Sequence, residues 1–148
     1  MRLRSFRPED LRKLYEIDHA CFAPGISYSQ GELARFTGHR LSQTWVAEEA
    51  GEIVGFLIAK REPRKILHIV TIDVVEAWRR RGVGSVMMGA AEQWAREHQL
   101  CLIGLETAQD NLAAQRFYAA RGYRKVDKVE HYYADGTAAW VIVKELSY

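Results

Sequence analysis

The stretch that most constrains this chain is an apolar run, ILHIVTIDV at 66–74, followed three residues later by WRRRGVGS at 78–85. Such an apolar run is typical of a strand buried at the centre of a sheet. From Val83 to about His98, apolar residues recur at the spacing of one helix face. The sequence therefore predicts a central strand that turns through two glycines directly into a helix.

This turn has the features of an anion-binding site. Unpaired backbone N–H groups at the start of a helix converge on one point, and the positive end of the helix dipole lies behind them. Gly82 and Gly84 lack a Cβ, so a bulky phosphate can approach the backbone, while Arg79, Arg80 and Arg81 add donors and charge. Taken alone, the turn fits a plain surface turn with solvated arginines equally well.

Two classes of phosphate ligand are disfavoured. A dinucleotide-binding turn needs a third glycine where this chain has Met87, and no ladder of strand–helix–strand units surrounds it. With 21 Lys and Arg against 19 Asp and Glu, the net charge is only +2, whereas domains that wrap nucleic acid are strongly basic. The arginine run is therefore a local feature, and we expect no nucleic-acid partner.

The first half of the chain predicts one strand, two helices and then a series of strands. The segment 2–6 alternates polar and apolar residues, and Ser29 and Glu32 have the spacing of a capping box that opens the second helix. Ala50-Gly51 separates two strand-like segments, as a hairpin turn does. Together with 66–74, these segments predict three consecutive antiparallel strands.

The second half predicts a buried strand at 100–107, a helix at 111–122 that Asn111 caps, and two final strands. The first of these, YRKVDKVEHYY at 123–133, joins the last through a hairpin turn around Ala134-Asp135-Gly136. The predicted order is βαα, βββ, α, β, α, ββ. This order favours an α+β fold, a mixed sheet with helices on both faces.

Composition limits the remaining classes. A chain of 148 residues fits one domain, 1–148, with a sizeable core. No segment approaches the ~18 uninterrupted apolar residues of a spanning helix, and no apolar segment follows the basic N-terminus, so we expect a cytoplasmic protein with no membrane partner. Cys21 and Cys101 lie in apolar surroundings without metal-ligand spacing, which predicts buried, reduced thiols and no metal.

Two segments together resemble one enzyme family. VVEAWRRRGVGSVM resembles the acyl-CoA-binding signature of the GNAT N-acetyltransferases, and Arg79, Gly82 and Gly84 match that signature in order. LETAQDNLAAQRFYAARGYRKV resembles the family's later segment, although Glu76 stands where many members have proline. The resemblance covers essentially the whole chain. It implies a mostly antiparallel sheet of about six to seven strands, acetyl-CoA as acyl donor and no metal.

The resemblance also implies where acetyl-CoA binds. Backbone N–H groups around Ile72, Asp73 and Val74 would hold the pantetheine, with Val74 as the main donor to the thioester oxygen. Asn111 would bond the pantetheine or a water. The pyrophosphate would lie on the turn, which comprises Arg79, Arg80, Arg81, Gly82, Val83, Gly84 and Ser85.

Acyl transfer to an amine also needs a base for the amine and a proton for the leaving thiolate. By resemblance, Tyr118 protonates the thiolate of CoA. Glu106 takes the amine proton directly or through water, although a strand-end salt bridge explains this residue equally well. His131 is a weaker candidate base, and an exposed histidine is the better interpretation.

Within the family, the chain is similar to the bacterial ribosomal-protein alanine acetyltransferases and other protein N-terminal acetyltransferases. The features that carry this similarity are LET at 105–107, the pair Tyr132-Tyr133 and the segment CFAPGISYS. By resemblance, Tyr132 and Tyr133 bind the backbone of the acceptor, and Phe22 or Tyr28 packs on its first side chain.

The acceptor would then be the N-terminal amine of a protein or peptide. A small amine, such as a polyamine, amino acid or aminoglycoside, remains an alternative acceptor. A non-catalytic CoA- or anion-binding module, or an RNA-binding protein that uses the arginine run, is a further alternative. Both a monomer and a homodimer remain open.

Overall fold

The computed structural model describes residues 1–147, which form seven strands and four α-helices. Short 3-10 turns at Pro8–Asp10 and Glu76–Trp78 precede α1 and follow β4. In chain order the elements are β1 (Arg2–Ser5), α1 (Leu11–Cys21), α2 (Gln30–Gly38), β2 (Ser42–Glu49), β3 (Glu52–Glu62), β4 (Ile66–Val74), α3 (Val83–Glu97), β5 (Leu102–Ala108), α4 (Leu112–Ala120), β6 (Arg124–Val129) and β7 (Ala139–Glu145). This order confirms the predicted one.

All seven strands belong to one sheet, in the order β1-β2-β3-β4-β5-β7-β6. Every neighbouring pair is antiparallel except β4 and β5, which run parallel. The prediction of a mostly antiparallel sheet of six to seven strands is confirmed.

The parallel pair β4 and β5 is joined over a short stretch only. Ile66–His68 pairs with Leu102–Gly104, and no further pairing of these two strands occurs within residues 1–147. Beside this point β4 carries an extra residue, Val70, because Ile58 lies opposite Thr71 while Ala59 lies opposite Ile69. A bulge of this kind bends its strand. A gap therefore opens between the C-terminal halves of β4 and β5.

Helices cover both faces of the sheet, as predicted. Residues of β3 alternate between the two faces, so Phe56 and Ile58 pack with Leu14 of α1 and Leu33 of α2. On the opposite face, Leu57 and Ala59 belong to a second core that also contains Met87, Met88 and Ala91 of α3 and Tyr118 of α4. The gap thus has α1 and α2 on one side and α3 and α4 on the other.

The predicted helix caps form as local hydrogen bonds. The N–H of Glu32 donates to Ser29 Oγ at 3.1 Å, and the N–H of Ser29 donates to Glu32 Oε1 at 2.9 Å, so α2 begins with a capping box. Asn111 Oδ1 accepts the N–H of Ala114 at 3.2 Å at the start of α4. Both prediction and structure depend here on residues three positions apart.

Two predictions, one about the last strands and one about the cysteines, are wrong. The strand predicted to reach Tyr133 ends at Val129, because β7 begins only at Ala139 and leaves the intervening segment without a partner strand. Tyr132 and Tyr133 therefore lie in a loop. Cys101 is exposed, because it lies in the connection before β5, and Cys21 is only half-buried.

The outer strand β6 is exposed along its whole length. It also carries an extra residue, Val126, because Lys125 lies opposite Ile142 while Asp127 lies opposite Val141. Across residues 1–147, no helix is both long and apolar enough to span a bilayer.

A buried carboxylate joins α3 to the end of the sheet. Glu92 is 4% exposed and accepts hydrogen bonds from Tyr123 Oη at 2.8 Å, Arg121 Nη2 at 3.0 Å and Lys144 Nζ at 3.4 Å. Burial and this carboxylate raise the pKa of Tyr123 above its ordinary value. One side chain thus links three separate segments.

We expect Glu92→Ala to lower the free energy of unfolding by about 3 kcal/mol, because the partners of a buried charge lose their counter-charge. The value lies at the lower end of the range for buried pairs because Arg121 and Lys144 keep some contact with water. Urea unfolding measures the change. The exposed pair Arg12–Glu16 on α1 supplies the control, since Glu16→Ala should cost less than about 0.5 kcal/mol. Equal losses for both variants would contradict the assigned role of Glu92.

Candidate functional site

The turn predicted to bind an anion begins α3 beside the gap. Arg80 and Gly82 adopt left-handed backbone conformations, with φ of +62° and +85°. The first helical N–H bond is that of Val86, which donates to the carbonyl of Gly82 at 3.0 Å. The N–H groups of the three preceding helical residues, Val83, Gly84 and Ser85, therefore have no intrahelical acceptor. Together with the left-handed turn, they form a concave group of donors suited to phosphate.

The two glycines are needed for different reasons. A Cβ on Gly82 would meet no atom within 4 Å among the described residues, so its positive φ is what favours glycine. A Cβ on Gly84 would lie 3.3 Å from Cζ of Phe117. Gly84 therefore allows α3 to lie close to α4, a requirement that the turn sequence alone does not reveal.

Two of the three arginines bind other parts of the protein. Arg79 Nε donates to the carbonyl of Val74 at 3.2 Å, and its Nη2 donates to Cys21 Sγ at 3.5 Å. The guanidinium of Arg81 lies 4.0 Å from the ring centroid of Trp78. These two side chains are thus engaged within the protein, and the backbone N–H groups of the turn are a separate set of donors for a ligand.

The end of β4 presents alternate N–H groups to the gap. The N–H of Val75 donates to the carbonyl of Val54 on β3 at 2.9 Å. Because successive N–H groups of a strand point to opposite edges, those of Ile72 and Val74 point into the gap. The N–H of Asp73 points to β3, so only two of the three residues predicted here offer a donor on the gap side.

Glu106 lies at the other edge of the gap in a hydrogen-bonded cluster. Its Oε1 lies 2.7 Å from Nε2 of His68 and accepts the hydroxyl of Tyr132 at 3.1 Å. Nδ1 of His68 lies 4.0 Å from Glu62. We call His68, Glu106 and Tyr132 the acid–histidine cluster.

The cluster favours the charged forms of both titratable partners. Burial favours the neutral acid of Glu106, but the hydrogen bonds from His68 and Tyr132 outweigh it and lower the pKa of Glu106. Burial also disfavours the imidazolium of His68, yet the Glu106 carboxylate outweighs this effect and raises the pKa of His68. Glu106 is therefore an ionised carboxylate at neutral pH, and its charge favours the protonated form of His68.

His68 was not predicted from the sequence. It lies opposite Gly104 in the short parallel stretch, so the strand register brings it next to Glu106. The available signal was a histidine inside an otherwise apolar strand. The hypothesis that His131 is exposed is confirmed, and this residue lies in the turn after β6.

Tyr118 lies on α4 and is 6% exposed. Burial raises the pKa of Tyr118, and the nearby groups Asp73 and Tyr133 raise it further. Its hydroxyl thus keeps its proton in the neutral pH range. Asn111, which caps the same helix, lies directly after the C-terminal end of β5.

Two loops meet on the α1 side of the gap. We call residues 22–28 the acceptor loop, which includes the half-buried Phe22 and ends at Tyr28. Its Gly25 carbonyl accepts the N–H of Ala134 at 3.1 Å, and a Cβ on Gly25 would lie 3.0 Å from Asp135. The loop between β6 and β7 is therefore bonded to the acceptor loop.

Tyrosines from both loops lie near the acid–histidine cluster. The rings of Tyr132 and Tyr133 meet edge to face at 4.8 Å. Tyr28 donates its hydroxyl to the carbonyl of Val70 at 3.4 Å. Burial, together with Asp18 and Glu106, raises the pKa of Tyr28 to about 12.

Comparison with known proteins identifies the family. The sequence profile of the acetyltransferase (GNAT) family matches residues 11–123. An N-alpha-acetyltransferase of Sulfurisphaera tokodaii is 31% identical over 114 residues, which cover 69% of this chain and 68% of that protein.

Solved structures share the fold. A ribosomal-protein-alanine N-acetyltransferase from Escherichia coli superposes with a TM-score of 0.88 and 19% identity, covering 99% of this chain and 94% of that one. Arabidopsis thaliana NAA60, solved in complex with acetyl-CoA, gives a TM-score of 0.83 with 19% identity and covers 98% of both chains. The family match over most of the chain and the shared fold lead to one conclusion: this chain belongs to the GNAT family and is an N-acetyltransferase.

Proposed function

We propose that the enzyme transfers an acetyl group from acetyl-CoA to the N-terminal α-amine of a protein or peptide. The observation that carries this proposal is the acid–histidine cluster, which lies at the gap between the turn before α3 and the two bonded loops. The similarity to an N-alpha-acetyltransferase supports the choice of acceptor.

The donor side of the site is mainly backbone. Acetyl-CoA supplies the acetyl group as an activated thioester. In our proposal, the turn from Arg80 to Ser85 holds the pyrophosphate on its N–H groups, and Ile72 and Asn111 bind the pantetheine. The N–H of Val74 stabilises the negative charge that develops on the thioester oxygen.

The acceptor amine must lose a proton before or during attack. The ionised carboxylate of Glu106 accepts it directly or through one water, and His68 keeps that carboxylate charged despite its burial. Tyr132 and Tyr133 bind the acceptor backbone, and Phe22 or Tyr28 packs on its first side chain. Tyr118, which stays protonated, gives its proton to the leaving thiolate.

The acceptor class is tested with an amine panel. We expect release of CoA from acetyl-CoA with short peptides that carry free Ala or Ser N-termini, and no release with the same peptides blocked at the N-terminus. Polyamines, amino acids and aminoglycosides complete the panel. Reaction of small amines without any peptide would overturn the proposed acceptor, and acetyl-CoA binding without turnover on the whole panel would indicate a non-catalytic module.

We expect Tyr118→Phe to lower kcat at least tenfold, the lower scale of a general acid, with little change in the affinity for acetyl-CoA. Tyr123→Phe provides a matched control, because Tyr123 is a buried tyrosine whose ring lies 5.8 Å from that of Tyr118 but whose hydroxyl binds Glu92. The control should lose stability and keep its rate. A Tyr118→Phe enzyme of undiminished kcat would remove the general-acid assignment.

The acid–histidine cluster predicts a specific pH dependence. Glu106 acts as a base above its pKa, which His68 lowers, so the carboxylate is charged throughout the neutral range. His68→Gln keeps a hydrogen-bond donor but removes the positive charge, so burial then raises the pKa of Glu106. We expect the acid limb of kcat/KM to move to higher pH while the plateau changes little.

Glu106→Gln is the companion variant and should lose at least about 100-fold in kcat/KM at every pH. Steady-state kinetics across pH measures both effects. An acid limb that stays in place in His68→Gln would show that His68 does not control Glu106.

A further inference from the structure

Two buried carboxyl groups meet between α1 and the end of β4. Asp18 of α1 is 0% exposed and Asp73 of β4 is 1% exposed. Burial raises the pKa of Asp73, and the nearby Asp18 carboxyl group raises it further. Neither residue forms an ion pair with any other group among residues 1–147.

Each carboxyl group has one bonded oxygen and one orphaned oxygen. Asp18 Oδ2 accepts the N–H of Tyr28 at 2.7 Å, and Asp73 Oδ1 accepts the hydroxyl of Thr71 at 2.6 Å. Asp18 Oδ1 and Asp73 Oδ2 are buried without a donor from the described part of the chain. Two neighbouring buried carboxylates without a further donor would be costly, whereas a proton on one of them supplies a donor to the other.

The groups around the pair supply no other donor. The cation that acts on Asp73 is Arg79, whose guanidinium donates to Val74 and Cys21 instead. The titratable and polar groups that face the pair come from five surrounding segments: Cys21 of α1, Tyr28 of the acceptor loop, Thr71 of β4, Arg79 after β4 and Tyr118 of α4.

We propose that Asp18 and Asp73 share one proton, and that this bonded pair positions the acceptor loop against the edge of β4 that faces the thioester. The inference rests on the proposed function, because that function defines which side of the site binds the acceptor and which side binds the acetyl donor. Asp18 holds the end of the acceptor loop through the N–H of Tyr28. Asp73 lies directly before Val74, whose N–H points into the gap. The two aspartates are thus positioning residues that connect the acceptor side to the donor side.

The shared proton determines whether stability rises or falls with pH. Burial and the contact with Asp18 raise the pKa of Asp73 well above its ordinary value, so the native state holds a proton that the unfolded chain releases at lower pH. Stability therefore falls as pH rises from the ordinary range of an aspartate through the raised pKa. Above that pKa, two negative charges face each other and the positioning contact is lost.

Asp18→Asn is the decisive variant. The oxygen of the amide that replaces the carboxyl group still accepts the N–H of Tyr28, and the amide NH₂ group donates to Asp73 without any shared proton. At a pH where the pair holds its proton, we expect kcat/KM of Asp18→Asn within about threefold of that of the unmodified enzyme, because the contact is preserved. The unmodified enzyme should lose at least about tenfold in kcat/KM as the pair loses its proton, and Asp18→Asn should not.

Asp18→Ala removes the contact altogether. In the folded variant we expect kcat/KM for the acceptor to fall at least about tenfold, with unchanged affinity for acetyl-CoA by calorimetry, because the turn before α3 is untouched. Asp10→Asn is the matched control. Asp10 is a buried carboxyl before α1, but Arg4 pairs with it and lowers its pKa. Asp10→Asn should therefore leave the loss of kcat/KM with rising pH, the alkaline limb of the pH profile, in place.

A second measurement needs no acceptor. The melting temperature of the unliganded enzyme should fall with rising pH across the titration of the pair, and in Asp18→Asn this fall should be smaller, because burial still raises the pKa of Asp73 but the repulsion by a second carboxylate is gone. If no peptide is acetylated while this difference appears, the proposed acceptor fails and the shared proton stands.

Three results would overturn the inference. The first is an alkaline limb that Asp18→Asn retains unchanged. The second is a folded Asp18→Asn enzyme that is inactive at every pH, which would require the carboxylate itself. The third is loss of the alkaline limb in Cys21→Ser, which would assign the titration to the thiol.

Discussion

The short parallel pairing of β4 and β5 is the constraint on which the rest of the site depends. Only three residues of each strand are paired, and the bulge at Val70 bends β4 away beyond them. The released backbone donors at Ile72 and Val74 cannot be satisfied within the sheet. In the proposed function, a ligand with acceptor groups of its own completes this edge, which would explain why the turn, α4 and both loops are arranged around the gap.

The same buried environment sets opposite charge states on neighbouring acids. Glu106 accepts hydrogen bonds from His68 and Tyr132, which lower its pKa in spite of burial, so it is charged at neutral pH. Asp73 lies next to another carboxyl group and has no ion-pair partner among residues 1–147, so burial and Asp18 raise its pKa. Pairs of titratable groups driven apart in this way are a common means by which one site holds both proton acceptors and proton donors at neutral pH.

The sequence predicted what depends on nearby residues and missed what depends on register. The capping box of Ser29 and the cap by Asn111 were predictable because donor and acceptor lie three residues apart. The partnership of His68 with Glu106 spans 38 positions and exists only because of the parallel register. Likewise, nothing in the turn sequence indicates that Gly84 makes room for Phe117. The predicted length of the strand after α4 was too great, because its partner strand β7 begins only at Ala139.

The free edge of the sheet at β6 also limits how molecules associate. An unpaired edge with exposed backbone groups invites another chain to add a strand, and charges and bulges oppose such addition. This edge has both, since Lys125, Asp127 and Lys128 lie around the extra residue Val126. Extension of the sheet from one molecule into the next through β6 is therefore disfavoured, and the edge protects the enzyme from aggregation through its last hairpin.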